Sequence, residues 1–137
     1  MNFDISGLDN QAKYRLLNGG VTPRPIAWIS TRSRDGVDNL APYSFFTVAS
    51  CSPPVLLYTQ IMPRTGIDKD TLKNLIETGE CVVNIVSNDL MNTMNSTSAT
   101  LPFSQSEFEY ADVECCSSSR VAPLSVTHSP VRYECTL

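Results

Sequence analysis

A proline inside an apolar run, six residues after a hairpin signal, constrains this chain most. Residues 26–32 and the run that begins at Asn39 are both rich in strand formers, and Asp35-Gly36 lies between them. That dipeptide between two such runs predicts a hairpin. The return strand is expected from Asn39 to Ser50, bent near Pro42. Proline removes a backbone donor, so within a strand it belongs at an edge or a bulge. Ser30, Thr31, Tyr43 and Ser44 punctuate the same runs with hydroxyls. A bulged, hydroxyl-lined strand pair makes a wall for a flat ligand with a polar edge.

The rest of the chain reads as further strands with helices between them. Asp9 can cap a short helix through Leu17, with Tyr14 and Leu17 on its apolar side and Gly19-Gly20 as its stop. Pro23 and Pro25 keep the next segment extended. Residues 55–61 read as a well-buried strand and 62–68 as a loop. Asp70 or Thr71 opens a helix with Leu72, Leu75 and Ile76 on one face, and Gly79 ends it. Residues 81–86 form a strand, 88–94 a short helix, 95–120 mostly loop, and 131–137 a last strand.

At 137 residues and 42% apolar content, one domain (1–137) with an ordinary core is expected. A net charge of −4 disfavours nucleic acid as a partner. No apolar stretch approaches a bilayer span, and the amino terminus, Met1-Asn2-Phe3-Asp4, lacks a secretion signal. The five cysteines are odd in number and lack metal-ligand spacing, which predicts a reduced, cytoplasmic protein with no metal. Neither a Gly-x-Gly-x-x-Gly turn nor a Walker A loop is present, and the one histidine, His128, stands in a Ser/Thr/Pro loop. Nothing here makes a self-sufficient acid–base or nucleophilic site, which favours a cofactor that brings its own reactivity.

The ordered set of segments resembles the flavin reductase-like family with the FMN-binding split β-barrel, which includes flavoredoxins and the reductases of two-component monooxygenases. The likeness begins in residues 21–31 and 39–46 and continues through Ser52-Pro53-Pro54-Val55, Lys69-Asp70-Thr71-Leu72-Lys73-Asn74 and Gly79-Glu80-Cys81-Val82-Val83-Asn84. It ends in Glu107-Phe108 and residues 129–135. The resemblance implies a mainly β fold, a split antiparallel barrel of Greek-key type with a few short peripheral helices. It implies FMN bound near the interface of a homodimer, with NADH or NADPH as hydride donor to the flavin N5. The second acceptor would be a monooxygenase partner, free flavin, ferric iron or oxygen. The isoalloxazine ring is expected against Thr31, Ala41, Pro42, Tyr43 and Ser44. Its phosphate is expected at Arg64, Lys69 and Thr71, where cations precede a helix N-terminus. Asp70 suits that arrangement only as the helix cap, pointing away from the phosphate.

Trp28 has two readings of equal weight, shaping the flavin pocket or filling core beside Ile26 and Ser30. Arg24, between two prolines, has two readings, reaching a ligand or a partner subunit and, the favoured one, salt-bridging at the surface. Family members usually continue past the Glu134-Cys135 pair, so closing strands are expected to be missing and an edge exposed for pairing with a second copy. The alternative function is a non-catalytic FMN-binding or interaction protein with the same fold.

Overall fold

Residues 2–61 and 69–137 are described by the computed structural model of the chain. Helix α1 (Asn10–Gly20) starts where expected, because the Asp9 carboxylate accepts from the Ala12 amide at 2.7 Å. It runs through both glycines rather than stopping before them. It buries no residue, and Tyr14 and Leu17 stay exposed, so its expected apolar side does not face a core. Tyr14 meets Phe45 edge to face, with ring centroids 6.4 Å apart.

Strands β1 (Ala27–Arg32) and β2 (Asp38–Tyr43) form the predicted hairpin. Gly36 takes the left-handed φ of 84° that its turn requires. The Arg32 guanidinium grips Asp38 with two bonds of 3.0 and 2.7 Å at the mouth of the turn. The return strand does not bend at Pro42. Pro42 stays in register opposite Trp28, on an edge strand, where its missing N–H need not cost a ladder bond. The break falls two residues later, at Ser44-Phe45, and β3 (Phe46–Cys51) begins a separate ladder with β4 (Pro54–Tyr58). β4 is not the buried strand expected from its composition. β3 is its one ladder partner among the described residues, and Val55 and Leu57 are exposed.

Helix α2 (Asp70–Thr78) follows, with Gly79 as a left-handed C-cap whose N–H reaches the Leu75 carbonyl at 2.9 Å. Its N-cap is Lys69, so Asp70 is the first helical residue and not the cap. The buried face is Thr71, Asn74 and Leu75, while Ile76 is 68% exposed. The sheet presents Thr31 and Asn39 to that face, so Thr71 and Asn74 turn inward beside the expected Leu75. β5 (Glu80–Ile85) comes next, then a 3₁₀ turn (Asn88–Leu90) leading into α3 (Met91–Ser96). Helix α4 (Glu107–Tyr110), β6 (Cys115–Cys116), β7 (Ser125–Val126) and β8 (Arg132–Thr136) complete the order.

The main sheet is antiparallel with strand order β2-β1-β5-β8, and two-stranded ladders β3-β4 and β6-β7 lie beside it. Among the described residues the three ladders do not join into a closed barrel. Alternation along the strands sends residues to opposite faces. Ala27, Ile29, Tyr43, Cys81 and Val83 pack with Leu75 on one face. Trp28, Leu40, Met94, Phe108, Val113 and Val126 form the second core on the other. The first face opens into a cleft of about 810 Å³ between the β3-β4 ladder and β5-β8.

Candidate functional site

The end of β2 is a corner where four segments meet. Tyr43 is 5% exposed, and its hydroxyl donates to Gln60 Oε1 at 3.3 Å. Burial pushes its phenol well above the usual range, so it stays protonated and remains a donor. The Lys69 ammonium stands 5.3 Å from the Tyr43 ring centroid, within cation–π range. One residue on, Ser44 Oγ accepts from Arg24 Nε at 3.4 Å. Arg24 also donates to the carbonyls of Asn18 and Val21, at 2.8 and 2.7 Å, and lies over the Phe45 ring. Among the described residues it forms no ion pair, contrary to its reading as a salt-bridging residue. Carbonyls at the C-terminal end of a helix attract a guanidinium, and those of α1 hold it. Arg24 therefore ties α1 to the Ser44-Phe45 corner.

Polar atoms without partners flank this corner. Gln60 Nε2 and both amide atoms of Asn18 are buried and have no hydrogen-bond partner among the described residues. Leaving such groups unpaired costs about 1–3 kcal/mol each. A ligand whose edge carries both acceptors and a donor would satisfy them, and the isoalloxazine edge has both. The residues present thus fit a flavin.

Behind the corner lies a buried polar network. Asn39 Oδ1 accepts from Thr71 Oγ1 at 2.8 Å and from Thr31 Oγ1 at 3.3 Å. Asn74 Nδ2 donates to Thr31 Oγ1 at 3.0 Å. Asn39 Nδ2 donates to Glu107 Oε2 at 2.9 Å, and the same oxygen accepts the Leu40 amide at 3.0 Å. Burial raises the Glu107 carboxyl, against the lowering effect of these donors. Glu107 thereby pairs an edge-strand N–H that would otherwise be buried and unsatisfied. The network fixes the first turn of α2 on the hairpin and so sets where Lys69 stands.

The predicted site residues thus divide. Tyr43, Ser44 and Lys69 meet at the corner, and Ala41 and Pro42 are half-buried on the strand leading to it. Thr31 and Thr71 are buried, with hydroxyls committed to the network. Trp28 is fully buried in the second core, where its indole N–H donates to Thr97 Oγ1 at 2.8 Å. Of its two readings, this is the core-filling one. Arg64 lies outside the described residues. His128 is exposed and meets Glu114 at 3.0 Å, far along the chain from the corner. Asn18, Asn39, Gln60, Asn74 and Glu107 carry much of the site's polarity and were not singled out for a role. Asn39, Asn74 and Glu107 do stand inside segments that carried the resemblance. Among the described residues no group of three or more His, Cys, Asp or Glu side chains could hold a metal. No helix among them is long and apolar enough to cross a membrane.

Residues 19–137 match the family model described as flavin reductase like domain. An uncharacterised protein of Aquifex aeolicus is 39% identical over 137 residues, covering all of this chain and 70% of that protein. Nitrilotriacetate monooxygenase component B from Bacillus cereus superposes with a TM-score of 0.94 at 33% identity, over 100% of this chain and 67% of its own. A candidate flavin reductase with a split barrel domain from Shewanella frigidimarina gives 0.82 at 23% identity, over 98% and 67%. The chain spans 52% to 70% of the length of the curated relatives it matches. The mainly β architecture with short helices is that of the split-barrel flavin reductases.

Proposed function

We propose, from the premise that this chain belongs to the flavin reductase like domain family, that it binds FMN and works as an NAD(P)H-dependent flavin oxidoreductase. One observation carries the reading: the unpartnered buried amides of Asn18 and Gln60 flank a corner that also holds Arg24 and Lys69. The chemistry FMN supplies when bound is acceptance of a hydride and release of electrons to a second acceptor. The protein's share is to bind, orient and exclude water.

Ser44 and the Gln60 amide meet the ring's polar edge, Ala41 and the Tyr43 ring cover apolar surface, and Pro42 contributes through the strand backbone, since alternation turns its ring to the Trp28 face. Lys69 and the first amides of α2 take the phosphate, with Arg64 as a further cation. Thr71 contributes through its backbone, because its hydroxyl is committed to Asn39. Thr31 supports the site through the same network, and Trp28 through the core beneath β2. We place the protein in the cytoplasm as a homodimer, with an oxygenase as the acceptor best supported by the Bacillus cereus likeness.

The test is the absorption spectrum of the purified protein, followed by NADH or NADPH without oxygen. A flavin spectrum that bleaches on addition of either nucleotide is expected. Titration with FMN, FAD and riboflavin should rank FMN first. A colourless protein that takes up none of the three would overturn the proposal. Flavin uptake with no bleaching would instead favour a binding protein of the same fold.

A further inference from the structure

Cys81 and Cys135 are register partners across β5 and β8. The Leu137 amide reaches the Gly79 carbonyl at 2.8 Å, and the Ile85 amide reaches that of Val131 at 2.9 Å. Hydrogen-bonded pairs recur at every second residue of an antiparallel ladder, so 81 and 135 form such a pair. Their Cα atoms are then about 5.5 Å apart, inside the range of about 4.4–6.8 Å that a disulfide spans, and the Cβ atoms must draw together by about 1 Å for the bond to close. Both thiols point to the open face and line the cleft. Cys81 is buried and Cys135 half-buried, and all five cysteines are free. Facing Cys81 holds the Cys135 thiol below its usual range despite burial, and facing Cys135 together with burial pushes Cys81 up, so the pair loses its first proton at Cys135. While protonated, the Cys135 S–H donates to the Tyr133 carbonyl at 3.4 Å.

The other cysteines lack this arrangement. Cys51 has no facing thiol in its ladder, since its register partner is Pro54. Cys115 and Cys116 are neighbours on β6, so their side chains leave opposite faces of the strand.

We propose that Cys81 and Cys135 form a reversible dithiol–disulfide site whose oxidant is a hydroperoxide. The Cys135 thiolate sulfur attacks the terminal oxygen of the hydroperoxide. An S–O bond forms, the O–O bond breaks, and the leaving alkoxide takes up the proton that Cys135 had lost. The Cys81 sulfur then attacks the sulfenic sulfur, an S–S bond forms, and the hydroxyl leaves as water with the Cys81 proton. Two electrons pass from the two sulfurs to the peroxide oxygens. A dithiol reductant reverses the step by exchange. The disulfide would fasten edge strand β8 to β5 covalently.

Hydrogen peroxide applied to the full chain at neutral pH, with peptide mapping under non-reducing conditions, tests this. The expected product is a monomer with a Cys81–Cys135 linked peptide. Free thiols should fall from five to three, the mass should drop by about 2 Da, and dithiothreitol should restore both. Cys81→Ser should leave a sulfenic acid at Cys135 that dimedone captures, and Cys135→Ser should abolish the linked peptide. The unsubstituted chain alone already decides the outcome. No thiol loss, a first oxidation at Cys51, Cys115 or Cys116, or a disulfide between two copies would each overturn the proposal.

Discussion

The two faces of the main sheet are built by alternate residues of the same strands, yet they are finished differently. The face holding Trp28 and Leu40 is covered by α3, α4 and the irregular chain around β7. Specific bonds staple that cover down. Trp28 donates to Thr97, Ser30 Oγ to the Leu124 carbonyl, and Asn84 Oδ1 accepts the Val126 amide at 2.9 Å. The face holding Ile29 and Val83 is covered by α2 and the β3-β4 ladder and opens into the cleft. Irregular chain thus closes the more completely sealed face, pinned by these particular bonds, while Thr127 Oγ1 beside β7 has no partner among the described residues. A two-stranded ladder can offer only its apolar side. The candidate flavin corner and the thiol pair both belong to the open face.

If the closed face is the stability core, Trp28→Ala should be the most damaging change. Loss of a fully buried indole and its hydrogen bond should cost about 3–5 kcal/mol in urea denaturation. A loss below about 1 kcal/mol would mean that this face is not the sealed one.

Glu107→Ala is expected to rank second. It strips the acceptor from Asn39 Nδ2 and the Leu40 amide, at about 2–3 kcal/mol. Glu107→Gln keeps an oxygen there and should cost far less. The two should also differ in pH dependence. The Glu107 carboxyl is raised in the folded state above its ordinary 4.5. Its contribution is therefore fully present below 4.5 and is lost as pH rises through the folded value. Relative to the unsubstituted protein, Glu107→Gln should gain stability as pH climbs from 4 to 7. A pH-independent difference would show that the carboxyl titrates normally.

Lys69→Ala probes the open face through ligand binding. One charge-assisted contact contributes about 1.5–3 kcal/mol, so FMN affinity should fall at least about tenfold while riboflavin affinity stays level. Equal losses for both ligands would move the phosphate elsewhere. The smallest effect is expected at Leu57, 52% exposed on β4. Leu57→Ala should shift stability by no more than about 0.5 kcal/mol. A larger cost would mean that the open face is covered in solution, by a second copy for instance, and diluting the protein would then lower its melting temperature.

Local signals in the sequence were reliable wherever one residue type fixes the geometry. Asp9 as a cap, Asp35-Gly36 as a turn and Gly79 as a helix stop all appear in the structure. Burial was harder to read. Residues 55–61 look like an interior strand, and Val55 and Leu57 are exposed because no layer among the described residues covers them. On α2 the leucine pattern suggested one face, but the polar residues opposite turned Thr71 and Asn74 inward. For the site, Tyr43, Ser44 and Lys69 were legible as hydroxyl and cation positions. The partners that organise them were not. Asn39 and Glu107 are 68 residues apart in sequence, and no local pattern announces a bond between an edge strand and a four-residue helix.

Strand order β2-β1-β5-β8 also carries a consequence for how quickly the sheet can assemble. The β1–β2 hairpin closes around a short turn, an event that takes on the order of microseconds. β5 must then reach β1 from far along the chain, and β8 can dock only once β5 is in place. Closing such long loops loses chain entropy before the contacts form to compensate, so the later pairings should set the folding time. A substitution in the turn, such as Gly36→Ala, should then slow folding by nearly as much as it destabilises, because the hairpin is already formed when the limiting pairing occurs. Val82→Ala should slow folding by only part of its stability cost and speed unfolding by the rest, which stopped-flow refolding and unfolding can distinguish.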